Sequence, residues 1–277
     1  MRLLIVNADD YALSPGVSAG IRQAHRSGIV TTTTIMMNMP EARSQIASLR
    51  SESPDLGIGV HLNITAGVPV LPRSQVASLL GNDGRFLRPE ILLQQVDELA
   101  VDEIEREWRA QVEGLVSAGL HPDHLDSHHH VAFLHPALLR VFLELARELR
   151  CPVRPPIVVD LERTSILRSV PKPQVEWFQE NALGMLSQSK VPHPERLYAS
   201  FFGEQATLPV LLSLLENLPP GSSEIMCHPG VVDPILVQSS SYAAQRAAEL
   251  TVLTSPQVRE AVQASGIQLI RYAELFT

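Results

Sequence analysis

The chain has 277 residues, 45% of them apolar and 19% charged, with a net charge of -8 and a sequence pI of about 5.7. That length buries a large core without disulfides, and the composition excludes a disordered, collagenous or coiled-coil chain. No basic surplus exists to neutralise a phosphate backbone or to hold an anionic membrane surface, so neither nucleic acid nor a membrane is an expected partner. Two cysteines, Cys151 and Cys227, cannot build a disulfide framework or a thiolate metal site, and they fit a reducing compartment. The longest apolar runs fall far short of the roughly 20 residues a membrane span needs. The N-terminal run is too short for a secretory signal and meets carboxylates at once, so a cytoplasmic location is expected.

In chain order, Leu3 to Val6 is a continuous apolar run suited to a parallel strand buried on both faces. Ser14-Pro15 opens a helix that runs to about Gly28, with Ser14 as its cap. Ile29 to Met37, rich in Thr and Ile, predicts a second strand. Pro40 opens a helix to about Arg50, and Gly57 to Leu62 predicts a third strand. Residues 63–100 carry many glycines and prolines and read as a long excursion of the functional or lid-like kind. Asp102 to Ala118 is an amphipathic helix, with Asp102 as its expected cap and Gly119 as its stop. His124 to His128 predicts a strand and Pro136 to Leu149 an apolar helix. Residues 151–196 are Pro-rich and irregular, with a helix near Pro173 to Ser187. A strand at Leu197 to Phe202, a helix at Leu208 to Asn217 and a strand at Ser223 to Cys227 follow. Helices at Tyr242–Val252 and Pro256–Ala264 precede a last strand at Ile267 to Ile270. The unbroken alternation predicts one α/β domain over 1–277, a barrel of parallel strands, complete or not.

On this plan the chemistry gathers at one end. Asp9 and Asp10 follow the first strand, His61 ends the third, Asp126 to His130 end a middle strand and His228 ends a late one. Barrel active sites are built at those carboxyl ends. Each residue alone has a plain structural reading, as a cap, a turn or a core histidine. Their convergence carries the functional one, because buried carboxylates are costly unless paired or bound to metal. Strand alternation points Asp9 and Asp10 to opposite faces, unless the strand ends near Ala8 and the backbone turns. The same alternation sets Asp126, His128 and His130 on one face and His129 on the other. His25, His121, His124, His135 and His193 are expected at the surface or in structural roles. Cys227 should be turned away from the site. Two histidines and a carboxylate form a facial set for zinc, iron or another divalent ion, and an adjacent carboxylate can take a proton from bound water. An Asp near a ligating His serves to orient the ring, and a strand-end histidine such as His228 suits general acid work.

The segments LLIVNADDYALSPGV, TTTTIMMN, GVHLNIT, HPDHLDSHHHV and MCHPG, spanning residues 3 to about 230 in this order, resemble the YdjC-like carbohydrate deacetylases. The resemblance implies a distorted, incomplete (β/α) barrel of parallel strands related to polysaccharide deacetylases. It implies a divalent metal, magnesium by family habit with zinc as the other choice, and removal of acetyl from an N-acetylated sugar such as a chitooligosaccharide. By motif, Asp9 resembles the general base, Asp10, His61 and His128 the metal ligands, and His228 the group on the leaving-group side. Asp126, His130 and Tyr11 are expected beside the substrate or behind the ligands. Two departures stand out. The family often has Asp-Asp-Phe-Gly where this chain has Asp9-Asp10-Tyr11-Ala12, a change that is harmless only if position 12 needs no positive φ. The family often has a further His where this chain has Ala132, which bears on substrate contacts. Family precedent and the apolar helices are compatible with a homodimer. Two competing functions are a phosphoesterase on a similar barrel and a carbohydrate-binding relative without turnover. The first lacks a Gly-rich phosphate cradle. The second has no need of Asp9.

Overall fold

Strand β1, Arg2–Tyr11, lies at the middle of the sheet, and Leu4, Ile5 and Val6 are shut off from solvent on both of its faces. A strand paired on both sides and covered above and below must be apolar throughout, which is what the opening run supplies. The computed structural model describes residues 1–159 and 170–275. Within them the strands are β1, β2 (Thr32–Ile35), β3 (Gly57–Leu62), β4 (Leu125–Ser127), β5 (Arg196–Tyr198), β6 (Gly221–Cys227) and β7 (Ile267–Leu269). Every recorded strand pair is parallel, in the order β4-β3-β2-β1-β6-β5, with β7 beside the start of β1. The sheet curls into a half-barrel, as expected. The stretch after Cys151 spans its two edges through isolated parallel bridges, Leu125 to Val153 and Val158 to Leu197.

Helices connect the strands. Pro15–Ser27 starts as predicted, with the Ser14 hydroxyl accepting from the Val17 amide. Ala42–Glu52, Val101–Ser117 and Pro136–Leu149 follow. Val101–Ser117 has Ala100 at its N-cap position and no side-chain cap, so Asp102 lies in its first turn and does not cap it. The excursion over 63–100 packs down rather than looping free. Val76, Leu79, Leu92 and Val96 are buried, and Pro89–Gln94 forms a short helix. The predicted helix at Pro173 to Ser187 is observed as a nearly continuous helical stretch from Lys172 to Ser189, wound with a π-turn at Phe178–Ala182. Residues 160–169 of the second irregular region lie outside the described residues. Beyond β5 come helices Leu208–Glu216, Pro234–Ser239, Ala244–Leu253 and Pro256–Ala264. The helix at Pro234 had no sequence signal beyond Asp233-Pro234, where the Asp233 carboxylate now accepts from the Leu236 amide. Among the described residues no helix is long and apolar enough to cross a membrane.

Two backbone details set the site. The β1–β2 register runs from Ala8↔Thr33 to Tyr11↔Ile35, so β1 carries one extra residue there. That is a β-bulge, and Asp10 within it has φ +70°. Second, β4 stops at Ser127, and the chain turns through His129 and His130, both at φ +54°.

Candidate active site

The bulge answers the geometric problem of two adjacent carboxylates. Asp9 keeps the inward face it shares with Asn7, whose side-chain amide donates to it at 2.8 Å. Asp10 should point outward by alternation, but the extra residue turns it inward as well. The strand therefore continues to Tyr11 rather than ending near Ala8. The two carboxylates are each 2% exposed.

Asp10 Oδ1 lies 3.2 Å from His61 Nε2 and 3.0 Å from His128 Nδ1, and the two ring nitrogens are 3.1 Å apart. These three atoms come from β1, β3 and the turn after β4. Asp10 Oδ1 is buried and makes no hydrogen bond of good geometry among the described residues. Ligand bonds of about 2.1 Å at right angles would set donor atoms about 3 Å apart, so the trio fits a facial site for a divalent ion. Asp9, Asp10, Asp126, Glu224 and Glu249 are buried here against two guanidiniums, Arg154 and Arg246. Asp126 is placed behind the trio: its Oδ1 is 2.6 Å from His61 Nδ1, while Thr34 donates to its Oδ2 at 3.0 Å. That contact fixes the ring and leaves Nε2 facing Asp10. Burial disfavours a charged His61, but the Asp126 and Asp10 carboxylates outweigh it and hold its pKa up at about 10.

Asp9 sits in a different setting. Arg154 grips both of its oxygens, at 2.7 and 2.6 Å, and also reaches Glu224 at 2.9 Å. Tyr272 donates to the other Glu224 oxygen. Burial would raise the Asp9 carboxyl, yet Arg154 with His61 and His228 holds it well below the usual range. Arg154 comes from the stretch that spans the sheet edges. Its signal was an arginine inside the apolar, Pro-rich Cys151–Ile157 run, a place where arginine stays buried only with partners.

His228 follows β6, with Nε2 3.8 Å from Asp9 Oδ2 and Nδ1 3.9 Å from Glu249 Oε1. Burial pushes its pKa down to about 4 despite Asp9, so the ring is neutral near pH 7. Glu249 accepts from the His228 amide and from the Tyr242 hydroxyl, the latter at 2.6 Å. Burial lifts the Glu249 pKa to about 7. Phe202 and Tyr242 stack at 4.4 Å beside the imidazole. Arg246 donates to Asp10 Oδ2. Arg246 and Glu249 share the buried side of helix Ala244–Leu253 with Leu250 and Leu253. Their signal was charge at positions where an amphipathic helix carries its apolar stripe.

Other expected residues land differently. The strand alternation predicted over Asp126 to His130 does not hold, because β4 ends at Ser127 and both later histidines turn left-handed. His128 still reaches the trio. His130 is neutral, its pKa pushed well down by burial and by Arg154, and it also feels the charges of Asp9 and His61. His129 is engaged by Thr65 at 2.9 Å. Tyr11 is not brought to the trio. Its hydroxyl accepts from Arg22 at 2.8 Å and donates to the Gln45 carbonyl at 2.9 Å. Position 12 does need a positive φ: Ala12 sits at +76°, so glycine's usual advantage there is real. Cys227 donates to the Asn7 carbonyl, and His124 stacks on Tyr272 in a structural role.

A family model described as YdjC-like protein matches residues 3–264. The chain belongs to this family. A carbohydrate deacetylase of Brevibacillus brevis is 38% identical over 98% of this chain and 99% of its own. A carbohydrate deacetylase of Geobacillus stearothermophilus is 36% identical over 99% and 98%. In structure, the YdjC-like chain superposes on a protein of Enterococcus faecalis V583, described as a candidate cellobiose-phosphate cleavage protein. The TM-score is 0.83 at 34% identity, covering 99% of this chain and 98% of that one. A family 4 carbohydrate esterase from Streptomyces lividans shares the fold, with a TM-score of 0.51 at 10% identity, covering 98% of this chain and 92% of that one.

Proposed function

We propose that this chain is a divalent-metal-dependent hydrolase that removes an acetyl group from an N-acetylated sugar, a chitooligosaccharide or related small glycan. The observation that carries the reading is the convergence of Asp10, His61 and His128 beside the Asp9–His228 couple. The relatives named carbohydrate deacetylase give the substrate class its support.

Asp10, His61 and His128 would hold the ion through Oδ1, Nε2 and Nδ1. A divalent ion in such a site lowers the pKa of a water it binds and polarises an acyl oxygen. Magnesium is the expected ion by family habit; the same donors accept zinc. Asp9 and His228 handle the proton. Asp9 stays ionised across the physiological range because Arg154 grips it, so it is a weak base that holds the proton of the attacking water only in transit. His228 begins neutral and has no proton to spare at the outset. Its Nε2 lies 3.8 Å from Asp9, a gap that one water spans, so the proton that Asp9 removed reaches the ring through a bridging water. It then passes that proton to the nitrogen as the carbon–nitrogen bond breaks. Hydroxide has gone to the acyl carbon and the proton to the amine, giving acetate and a free amino sugar. Asp126 keeps the His61 ring in register, and His130, held neutral, would line the substrate side of the site.

The experiment is acetate release from diacetylchitobiose by protein stripped with a chelator and then resupplied with magnesium or zinc. Acetate should vanish on stripping and return with metal. Absence of acetate from every N-acetylated sugar, with phosphate freed from a sugar phosphate instead, would replace deacetylation with phosphoester hydrolysis.

A further inference from the structure

We infer that Arg246 is a positioning residue for Asp10: it takes one carboxylate oxygen so that the other is presented to His61 and His128. The inference rests on reading that trio as a divalent-ion site. The terminal torsion of an Asp side chain is broad and two-fold, so the carboxylate needs an outside contact to fix it. In the bulge, Asp10 finds that contact in Arg246, whose Nη2 donates to Oδ2. Oδ1 is left buried and turned to both imidazoles, 3.2 Å from His61 Nε2 and 3.0 Å from His128 Nδ1.

The guanidinium is built for this contact. Arg246 is 3% exposed, on the buried side of helix Ala244–Leu253. Its Nε and Nη1 are buried with no hydrogen-bond partner among the described residues. Leaving two donors unsatisfied is costly, and Asp10 is the acceptor the cation does reach. The stem is held as well. The Arg246 carbonyl accepts from the Gly230 amide at 3.1 Å, and the guanidinium lies 5.7 Å from the Tyr242 ring centre. Gly230 clears the stem: a Cβ there would meet Arg246 Cβ and Cδ at 3.3 Å.

Two effects oppose each other at this site. The positive charge of Arg246 repels an incoming cation, while its hydrogen bond aims the ligand. Positioning predicts that aiming wins. Groups that hold a metal ligand from behind typically contribute about 10- to 100-fold in affinity. The test is calorimetric titration of chelator-stripped protein with magnesium chloride and with zinc chloride. Arg246→Met should weaken binding of the ion by about 10- to 100-fold. Arg246→Lys, which keeps the charge but not the planar fork, should weaken it by a smaller factor in the same direction. Gly230→Ala, which crowds the stem without altering charge, should also weaken it and stands in should Arg246→Met not fold. Circular dichroism of the ion-free variants checks the fold. Equal or tighter binding in the folded variants overturns the inference, because charge repulsion would then outweigh positioning. A wild-type protein that binds neither ion overturns the metal-site reading itself, and the two failures are told apart by that control.

Discussion

Asp9 and Asp10 are neighbours in the chain, equally buried and each set against an arginine, yet the fold uses them in opposite ways. Both oxygens of Asp9 are taken by Arg154, and Asn7 adds a third donor. One oxygen of Asp10 is taken by Arg246 and the other faces the His61 and His128 rings. The difference teaches that residue type and burial do not define a role. What defines it is which lone pairs remain after the surroundings have taken theirs. Asp10 keeps one oxygen turned to two imidazoles, the arrangement a ligand needs, while Asp9 is clamped in its ionised form between Arg154 and His228.

The strongest way to break this contrast is to neutralise each partner in turn. Asp9→Asn should lower acetate release by about 10³-fold or more, within the range for loss of a positioned base, while ion binding changes little. Asp10→Asn should do the reverse and abolish ion binding, with turnover lost as a consequence. Paired activity assays and metal titrations read both. Equal losses of ion binding in the two variants would erase the distinction.

The next largest effect is on stability. Arg154 is fully buried and faces Asp9, Asp126 and Glu224 together. Arg154→Met would leave three buried carboxylates without their cation. Breaking a buried ion pair by deleting one partner costs about 3–5 kcal/mol. Urea unfolding should show a loss of that order, whereas Arg246→Met, which leaves one carboxylate exposed to the loss, should cost less. A near-neutral Arg154→Met would mean that water already solvates this side.

Much of this contrast was legible before the structure, and what was not has identifiable causes. Gly57–Leu62 and Pro136–Leu149 fall where the sequence puts them, because glycine, proline and apolar period all agree at both ends. The carboxyl-end clustering of Asp10, His61 and His128 was legible from topology alone. The inward turn of Asp10 was not, since a bulge adds a residue without leaving a mark in the alternation. The left-handed turn at His129 and His130 was not legible either, because the strand ends at Ser127, one residue short of the predicted His128. Arg154, Arg246 and Glu249 are far from the motifs in sequence. Their partners are fixed by long-range packing, so only their odd placement in apolar surroundings could have marked them.

A smaller and pH-dependent effect separates Glu249 from the other carboxylates. Burial raises its folded pKa from 4.5 to about 7. A raised folded pKa means the acid form is favoured by folding, so its contribution is full below pH 4.5 and is lost as pH rises through about 7. His228 runs the other way, because its folded pKa is depressed to about 4 and its contribution is lost as pH falls through that value. Comparing wild type with Glu249→Gln cancels the histidine. The wild type should lose stability relative to the variant between pH 5 and 8, by up to roughly 3 kcal/mol. Denaturant midpoints at the two pH values read it, and parallel curves would mean that Glu249 is ionised throughout.

The smallest expected effect lies just past the bulge. Ala12 is held at φ +76° while its amide donates to the Ser18 hydroxyl at 3.1 Å. An alanine in the left-handed region costs roughly 1–2 kcal/mol, and glycine removes that strain. Glycine also adds freedom to the unfolded chain, which takes back about 0.4–1 kcal/mol. The balance favours Ala12→Gly by a few tenths of a kcal/mol to about 1 kcal/mol, seen as a higher unfolding midpoint. The substitution should leave ion binding unchanged, because the bulge at Asp10 is set by the β1–β2 register rather than by residue 12. A gain in stability accompanied by weaker ion binding would show instead that the strain at Ala12 helps hold Asp10 in place.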